Sequence, residues 1–511
     1  MPIGAPQRAD EGGRRGGSTR RVDARGAGRG GRGGAAPAPL ANLWNPTRSS
    51  PTMPVVELVD RPRHRALPGD CMALRVRSPG ARRWLVVAVV AGLLAVTVAW
   101  YVAWYTAGRV DRTPRPDDGV VVSPTFFGMH TSSVSLQAWP TASFATLRVW
   151  GQYPSVTWAA LNPAPGVYDW ADLDTVVAEA ARRGIDVVYT FGDTPGWAST
   201  DPLGTGCAYG AGSCYAPTEA SWRAFVTAIT TRYAGLVRYW ELWNEPNAEN
   251  FWSGTTRHMV EMARTAYPII KGADPRNVVL SPSPQGTHAH RWLDAYLGSG
   301  GVTVTDVVAF HGYLPAEPEA LVPLVDDIRG VLARHPHLAG RPLWDTEHSW
   351  GTASSPFGVT QDLQSAWLAR HLVLSASSGI ARSFWYLWDG YDGQPQWGML
   401  FNATTQQLQE PGVAYQQVHD WLTGATLHPC VAHRGVYQCQ LTRSGGYRGL
   451  VVWAATDDPS RVTSWDVPEP YTTYRTVEGT TRAIDAGRSV DVTMTPVLLQ
   501  GPGAPVLPRD S

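Results

Sequence analysis

The chain has 511 residues, of which 43% are hydrophobic and 17% charged, with 43 basic and 43 acidic side chains. This length supplies a large buried core, which excludes a small scaffold stapled by disulfides. The net charge of zero hides a split, because residues 1–83 hold 16 Arg and 6 acidic residues while the remainder holds 27 basic and 37 acidic residues.

The first 50 residues contain the tract RGAGRGGRGG and few large apolar side chains, so we expect disorder there. Gly/Arg tracts sometimes bind single-stranded nucleic acid, but this one lacks the interleaved aromatic residues that stack on bases. We therefore predict no nucleic-acid partner. The favoured interpretations are a solvated cytoplasmic tail at residues 1–83 that is attracted to anionic lipid, or an extension from an early start codon, with Met53 or Met72 as the true start.

Residues 84–107, WLVVAVVAGLLAVTVAWYVAWYTA, contain no charged side chain and are long enough to span a bilayer as a helix. Arg82 and Arg83 precede this segment, and Trp and Tyr residues cluster at its other end. This arrangement predicts a signal anchor with a cytoplasmic N-terminus and everything after Ala107 outside the cell, a single-pass protein of the cell membrane. A cleaved signal peptide is the alternative, but its apolar region is usually shorter.

Four of the five cysteines lie beyond this segment and fall into two close pairs, Cys207 with Cys214 and Cys430 with Cys439. We predict two local disulfides, which fits an oxidising compartment outside the cell. The alternative is four unpaired buried thiols. Cys71 remains on the cytoplasmic side.

After a linker at residues 108–124, short β-branched runs alternate with Ala-rich amphipathic segments up to residue 424, the pattern of βα units in a parallel sheet. Eight such units predict a TIM barrel. A doubly wound sheet is the alternative, but no Gly-rich phosphate turn follows the first strand. The predicted strands are Phe126–Met129, Ala145–Trp150, Asp186–Phe191, Val237–Trp243, Asn277–Ser281, Asp306–His311, Pro342–Thr346 and Arg382–Leu387.

Residues 425–500 lose the helical period and contain apolar runs separated by polar turns, including GVYQCQLTR and GLVVWAA. They predict a small β-sandwich packed on the barrel as a structural support. Residues 501–511 are expected to form a disordered tail.

Two glutamates end predicted strands, Glu245 in YWELWNEPN on the fourth and Glu347 in PLWDTEHSW on the seventh. The C-terminal ends of barrel strands carry the functional groups of TIM-barrel enzymes, so the two carboxylates should face each other at one mouth. A carboxyl pair of this kind suits glycoside hydrolysis, in which one group donates a proton and the other remains ionised. The surrounding indoles offer flat apolar faces to a sugar and desolvate the acid.

With these motifs the sequence resembles the clan of retaining TIM-barrel glycoside hydrolases with catalytic glutamates on strands 4 and 7, and most of all glycoside hydrolase family 39, with family 5 as the nearest alternative. The resemblance implies Glu245 as general acid/base, Glu347 as nucleophile and a covalent glycosyl-enzyme intermediate. It also implies that Asn244 holds the sugar 2-hydroxyl and that Arg148, in LRVWG, supports the nucleophile. The other implied substrate-binding residues are His311, Tyr313, Trp385 and Trp388, and Trp197 is a further candidate.

Several neighbours have a simpler interpretation. Glu241 lies deeper than Glu245, so we expect a buried, paired structural carboxylate. By alternation along a strand, Asp345 should share the face of Glu347 but lie further inside. His130 and His311 suit wall residues as well as sugar contacts. Individual tryptophans are more often core than subsite residues, which applies to the candidates Trp158, Trp197, Trp252 and Trp397.

The sequence thus predicts a membrane-anchored, outward-facing retaining O-glycosidase whose substrate is a carbohydrate. No metal or cofactor is predicted, because no cluster has metal-ligand spacing and no nucleophile elbow or P-loop occurs. One alternative is a catalytically inactive carbohydrate-binding barrel at the cell surface, although such a binder has no reason to keep both glutamates. A scaffold built on the basic tail is the third possibility.

Overall fold

A computed structural model of the chain describes residues 119–132, 139–151, 156–351, 358–390, 398–484 and 488–501. The predicted tails, the predicted membrane span at 84–107, most of the linker and Trp397 lie outside these residues. Within the described ranges, no helix has the length and apolar character needed to cross a membrane.

Eight parallel strands lie where the sequence predicts them, which confirms the TIM barrel. The strands are β1 Phe127–Met129, β2 Thr146–Val149, β3 Asp186–Thr190, β4 Tyr239–Glu241, β5 Val278–Leu280, β6 Val308–His311, β7 Leu343–His348 and β8 Arg382–Trp385. The sheet order is β5-β4-β3-β2-β1-β8-β7-β6, and a parallel bridge between Leu280 and Val307 joins its two ends.

Amphipathic helices cover the outside of the barrel. In Ala171–Arg182, for example, Leu173, Val176, Val177 and Ala180 are buried, a spacing of three and four residues that forms one helical face. Thr218, Thr255 and Thr360 each cap a helix by accepting a backbone N–H at the third helical position. The helices are α1 Trp158–Leu161, α2 Ala171–Arg182, α3 Glu219–Arg232, α4 Thr256–Ala273, α5 Ala289–Gly298, α6 Leu321–Ala333, α7 Gln361–Ser377 and α8 Glu410–Leu422.

Side chains of the barrel strands alternate between an interior cluster and the outer core beneath the helices. This alternation decides which strand-end residues face the mouth. On β8, Phe384 belongs to the interior cluster and Trp385 to the outer core. The interior cluster comprises Val188, Tyr239, Leu280, Val307, Ala309, Trp344 and Phe384.

The C-terminal residues form two packed sheets, as the sequence predicts. Their shared core contains Val436, Val452, Val490 and Leu499. The larger sheet contains Val120–Val121, Thr426–Leu427, Val431–His433, Val436–Thr442, Arg448–Ala454, Thr473–Thr476, Thr481–Ala483 and Val497–Gln500. The smaller sheet contains Thr463–Asp466 and Ser489–Val492. A separate three-stranded sheet contains Asp389–Gly390, Phe401–Asn402 and Gln407–Leu408.

The larger sheet differs from the prediction at one edge. Val120 and Val121, assigned to the linker from sequence, pair antiparallel with Leu427 and Thr426. Two β-branched residues suit an edge strand, and the chain therefore passes through the accessory sheet before it enters the barrel.

An ionic network around the buried guanidinium of Arg370 joins the accessory sheets to α7. Arg370 on α7 donates to Glu319 (Nε–Oε1, 2.9 Å) and to Asp457 (Nη1–Oδ1, 2.8 Å), and Trp453 of the larger sheet donates to the same Glu319 oxygen at 2.7 Å. A buried charge is stabilising only when it is paired in this way, so the network fixes the relative position of sheet and helix.

Candidate active site

Glu245 lies beyond the end of β4 in a loop that turns its carboxyl group into the barrel mouth. Its backbone is left-handed (φ 42°), and its N–H donates to the Ser283 carbonyl at 3.0 Å. The side chain is largely buried, and Oε1 lies 2.9 Å from Nδ1 of His311. A non-glycine residue held at positive φ is strained, a feature often found at functional sites.

Glu347 on β7 is held by two donors. Arg148 Nη1 donates to Oε2 at 2.6 Å and the Tyr313 hydroxyl donates to Oε1 at 2.8 Å. Nε2 of His311 lies 3.9 Å from Oε2 of Glu347. His311 therefore lies between the two carboxylates. One carboxylate oxygen of Glu245, one imidazole nitrogen of His311 and one carboxylate oxygen of Glu347 all lie within 4.8 Å of one another.

The two carboxyl groups differ in their affinity for a proton. Burial, and then the charge of Glu347, raise the pKa of Glu245 well above its ordinary value. Burial also raises the pKa of Glu347, but the Arg148 charge and the Tyr313 hydrogen bond oppose that rise. Glu347 therefore ionises first, and Glu245 retains the proton.

Arg148 organises the floor of the site from a fully buried position on β2. Besides Glu347, its guanidinium donates to Glu241 Oε2 at 2.6 Å and to Asn244 Oδ1 at 2.9 Å. Glu241 also accepts from Thr190 and Thr346, both at 2.7 Å. Glu241 is thus a paired, fully buried carboxylate, as expected from the sequence.

Two histidines form the wall. Burial, then the Arg148 charge, hold the pKa of His311 well below its usual value, so its ring is neutral. His130 is also fully buried, with Nε2 2.9 Å from the Thr346 carbonyl and its ring edge-on to Tyr386 at 5.0 Å.

Of the three tryptophans predicted as substrate-binding residues, Trp385 and Trp388 are buried and Trp197 is half-buried. Trp385 is fully buried, faces outward to His348 and donates its N–H to the Gly398 carbonyl at 2.6 Å. Trp388 is 1% exposed and stacks on Phe401. Trp197 donates to the Asn162 carbonyl at 2.9 Å. These contacts place Trp385 and Trp388 beneath the surface and leave no open ring face for a sugar.

The indoles around Glu245 also belong to the core. Trp240, Trp243 and Trp252 are at most 2% exposed, and Trp243 packs edge-on against Trp252 at 5.3 Å. Trp158 is fully buried and stacks on Phe225. The apolar rings therefore support the loop that carries the acid and offer no sugar platform, which corrects the expectation.

Tyr386 is a site residue that the sequence argument missed. It follows Phe384 by two positions, so alternation along β8 turns it to the interior while Trp385 faces outward. It is partly exposed, and the charges of Glu347 and Glu245 contribute to its raised pKa after burial, the main cause. The period-two pattern in SFWY was the signal that could have found it.

Asp345 differs from the expectation that it shares the face of Glu347. Its neighbours Trp344 and Thr346 face the interior, and Asp345 points outward to His371 of α7, with Oδ2 3.0 Å from Nε2. A register irregularity between Asp345 and His348 allows Glu347 to turn inward despite the parity.

Among the residues that the structure describes, two groups of buried side chains have possible metal-ligand atoms close enough to hold a cation. The first group is Asp345, His348 and His371, and the second is Glu245, His311 and Glu347. Sequence spacing did not reveal the first group, because His371 comes from α7. In each group a carboxylate oxygen and an imidazole nitrogen already lie 2.9–3.0 Å apart. Although burial acts to raise it, the neighbouring histidines lower the pKa of Asp345 to about 2.

Asp193, just beyond β3, is another buried carboxyl group. It has φ 57° and is 8% exposed, and burial raises its pKa to about 6 despite the hydrogen bond that its Oδ2 accepts from Thr157. The folded state therefore binds a proton more tightly than the unfolded state, so the stability of the fold falls as pH rises from about 4 to 6.

Replacing Asp193 with Asn should remove this penalty. The Asp193→Asn variant is expected to gain up to about 3 kcal/mol in free energy of unfolding at pH 7, and well under about 1 kcal/mol at pH 4. Urea unfolding at the two pH values measures the difference. The exposed Asp491→Asn variant is the matched control, and an equal effect of both substitutions at pH 7 would contradict the burial argument.

Comparison with known proteins identifies the family of the barrel. A family model described as cellulase (glycosyl hydrolase family 5) matches residues 128–390, slightly more than half of the chain, including Glu245 and Glu347. Among curated proteins, none matches.

Solved structures share the fold at low sequence identity. A family 39 glycoside hydrolase from the gut symbiont Bacteroides cellulosilyticus WH2 has 17% identity and a TM-score of 0.60, with 74% of this chain and 81% of that chain covered. A GH39 β-xylosidase from Caulobacter crescentus has 18% identity and a TM-score of 0.55, covering 76% and 98%. A GH30 endoxylanase from Clostridium papyrosolvens C71 has 12% identity and a TM-score of 0.52, covering 75% and 98%.

The predicted resemblance to TIM-barrel glycoside hydrolases is therefore confirmed, with family 39 barrels among the similar folds. The chain belongs to the cellulase (glycosyl hydrolase family 5) family and is an O-glycoside hydrolase.

Proposed function

We propose that the protein is a retaining glycosidase in which Glu347 is the nucleophile and Glu245 the general acid/base. The observation that carries this proposal is the close approach of the two carboxyl groups, since one carboxylate oxygen of each lies within 4.8 Å of the other. Retaining enzymes hold their carboxyl groups about 5–5.5 Å apart, whereas inverting enzymes leave about 6.5–9.5 Å for a water molecule. The spacing here supports attack by the carboxylate itself.

In the first step, the ionised Glu347 attacks the anomeric carbon while Glu245 donates its proton to the leaving oxygen. The Arg148 guanidinium and the Tyr313 hydroxyl hold Glu347 in place and favour its charged form. The glycosidic C–O bond breaks, the leaving group departs as an alcohol, and the sugar remains as an ester of Glu347.

In the second step, Glu245 takes a proton from a water molecule that attacks the anomeric carbon and releases Glu347. The esterified Glu347 no longer carries a negative charge, so one of the causes that raise the pKa of Glu245 disappears. Glu245 becomes a stronger acid after the first step, which suits its change from acid to base.

Asn244, His311 and Tyr386 complete the proposed sugar site. Asn244 is oriented by Arg148 and, by the resemblance, would hold the 2-hydroxyl. His311 would orient Glu245. The proposed substrate is a polysaccharide or glycoside of neutral pyranose units, and the endoxylanase and β-xylosidase among the similar folds guide the choice of probes.

We also infer that residues 84–107 anchor the enzyme in the cell membrane with the catalytic domain outside. Support comes from the uncharged length of this segment, from Arg82 and Arg83 before it, and from the two disulfides, Cys207–Cys214 and Cys430–Cys439, which suit an oxidising compartment.

The mechanism is tested by intact-protein mass spectrometry of the full-length protein after exposure to activated 2-fluoro glycosides. We expect a single-sugar mass increment that maps to Glu347 and is absent in Glu347→Gln. Glu249→Gln, an exposed glutamate in the loop of Glu245, is the matched control and should label normally. No adduct from any donor, together with retained oligosaccharide binding, would identify the inactive carbohydrate-binding barrel instead.

The anchor is tested by fractionating cells that express the full chain or a variant lacking residues 84–107. The full chain should stay with membranes after an alkaline carbonate wash, and external protease should digest its catalytic domain in intact cells. Release of the full chain by carbonate, or its complete protection from protease, would refute the proposed topology.

A further inference from the structure

Asp193 has a carboxyl oxygen that the fold does not use. Its Oδ2 accepts from the Thr157 hydroxyl at 2.5 Å, whereas its buried Oδ1 has no hydrogen-bond partner among the described residues. An unmatched buried acceptor is costly, and such groups in native proteins usually await a ligand or water.

Trp150 packs on the backbone next to Asp193. A Cβ at Gly192, the residue before Asp193, would lie 2.4 Å from Cη2 of Trp150. Trp150 follows β2, is 7% exposed, as buried as Glu245, and belongs to none of the apolar core clusters of the described residues. The indole thus lies where the chain leaves β2 and β3.

Tyr209 packs against Trp150 and forms a second aromatic side of the proposed subsite. Its ring packs edge-on against Trp150 at 5.6 Å, and its hydroxyl would lie 3.1 Å from a Cβ on Gly151. The side chain remains 43% exposed, and the charges of Asp193, Glu347 and Glu245 all act on its hydroxyl. Tyr209 is thus within electrostatic range of both Asp193 and the two catalytic glutamates.

The loop that carries Tyr209 is fixed on the Glu245 side of the mouth. The Cys207–Cys214 disulfide closes it, the Ala208 N–H donates to the Asn250 carbonyl at 2.9 Å, and the Ser253 N–H donates to the Cys214 carbonyl at 2.9 Å. Residues 250 and 253 follow Glu245 in the same loop. Since Glu245 is the proposed proton donor to the leaving oxygen, the loop that carries Tyr209 lies on the side where the leaving group departs.

We propose that Trp150, Asp193 and Tyr209 form a subsite for the leaving-group sugar, in which Asp193 Oδ1 accepts a hydrogen bond from a sugar hydroxyl. A partly exposed aromatic ring and a carboxylate oxygen are features that bind a pyranose, whose apolar C–H faces pack on ring faces and whose hydroxyls donate to the oxygen. The inference rests on the proposed function for the identity of the leaving-group side.

The test compares two substrates that share a glycone and differ in the leaving group: 4-nitrophenyl β-xyloside with xylobiose, and 4-nitrophenyl β-glucoside with cellobiose. The nitrophenyl group of these glycosides has no hydroxyl to donate to Asp193. Asp193→Asn is the first variant, because Asn tolerates the left-handed backbone at this position. Tyr209→Phe keeps the ring, and Leu203→Ala, at a side chain 83% exposed before the disulfide, is the control.

For the glycone that the full-length protein accepts, Asp193→Asn should lower kcat/KM for the disaccharide about tenfold or more, mainly through KM, and change the nitrophenyl glycoside by less than about twofold. Leu203→Ala should change neither substrate. Equal losses on both substrates, or no loss on the disaccharide, would overturn the proposal, because Asp193 would then contact the glycone or only affect the stability of the fold.

If the full-length protein turns over none of these donors, binding decides the subsite, and the 2-fluoro glycoside labelling decides the catalytic proposal separately. Calorimetry with xylotriose and cellotriose then gives the answer. A roughly tenfold weaker affinity in Asp193→Asn supports the subsite, and an unchanged affinity overturns it.

Discussion

The Glu347→Ala variant is expected to lose at least about 10⁴-fold in kcat on an activated aryl glycoside, equivalent to about 5.4 kcal/mol of transition-state stabilisation. The physical reason is the loss of the attacking oxygen, since Glu241, the other carboxylate that Arg148 holds, is fully buried below the site. Steady-state kinetics on the nitrophenyl glycosides measures the loss, and near-ultraviolet circular dichroism establishes that the variant is folded.

The same variant should recover part of its turnover with added azide or formate. Removing the carboxylate leaves the Arg148 guanidinium and the Tyr313 hydroxyl facing a small cavity, a ready site for a small anion. The product of azide attack should have the configuration opposite to that of the substrate, which nuclear magnetic resonance reports. Recovery with retained configuration, or a residual rate above about 1% without added anion, would exclude Glu347 as the nucleophile.

Glu245→Gln should show a loss that depends on the leaving group. For a disaccharide, whose leaving alcohol needs a proton, kcat/KM should fall by about 10³-fold, in the range of general acid catalysis. For a nitrophenyl glycoside, whose leaving group departs as the anion, we expect a much smaller loss in the first step. Equal losses on both substrates would argue against Glu245 as the acid.

The pH profile gives a second readout of Glu245. Burial and the charge of Glu347 raise its pKa well above the ordinary value, so the wild type should lose activity as rising pH removes the proton from Glu245. Glutamine has no such proton, so the basic limb should vanish in Glu245→Gln. The acidic limb, set by protonation of Glu347, should persist in that variant. The exposed Glu249→Gln should keep both limbs.

The sequence was sufficient to predict the barrel and the pair of glutamates. The eight strands could be located because β-branched runs and amphipathic helical segments differ in period, and that difference is local. Glu245 and Glu347 stood out because a carboxylate at the end of an apolar strand is costly without a use. The two disulfides followed from the short spacing of each cysteine pair.

Tertiary structure alone decided which neighbours of the glutamates face the substrate. Period-two alternation holds only while the strand is regular: β4 ends at Glu241, Glu245 sits at φ 42° beyond it, and β7 changes register after Asp345. Parity arguments therefore failed for Asp345, which packs outward on α7.

Tertiary structure alone also decided the positions of the tryptophans and of the Asp193 carboxyl group. The resemblance implied sugar contacts at Trp385 and Trp388, yet an indole is the largest apolar side chain, and packing buried both beneath the mouth. Asp193, Trp150 and Tyr209 come from three segments of the chain. Only the closure of the barrel and the disulfide loop brings them together, because contacts between distant segments leave no local period for a sequence to show.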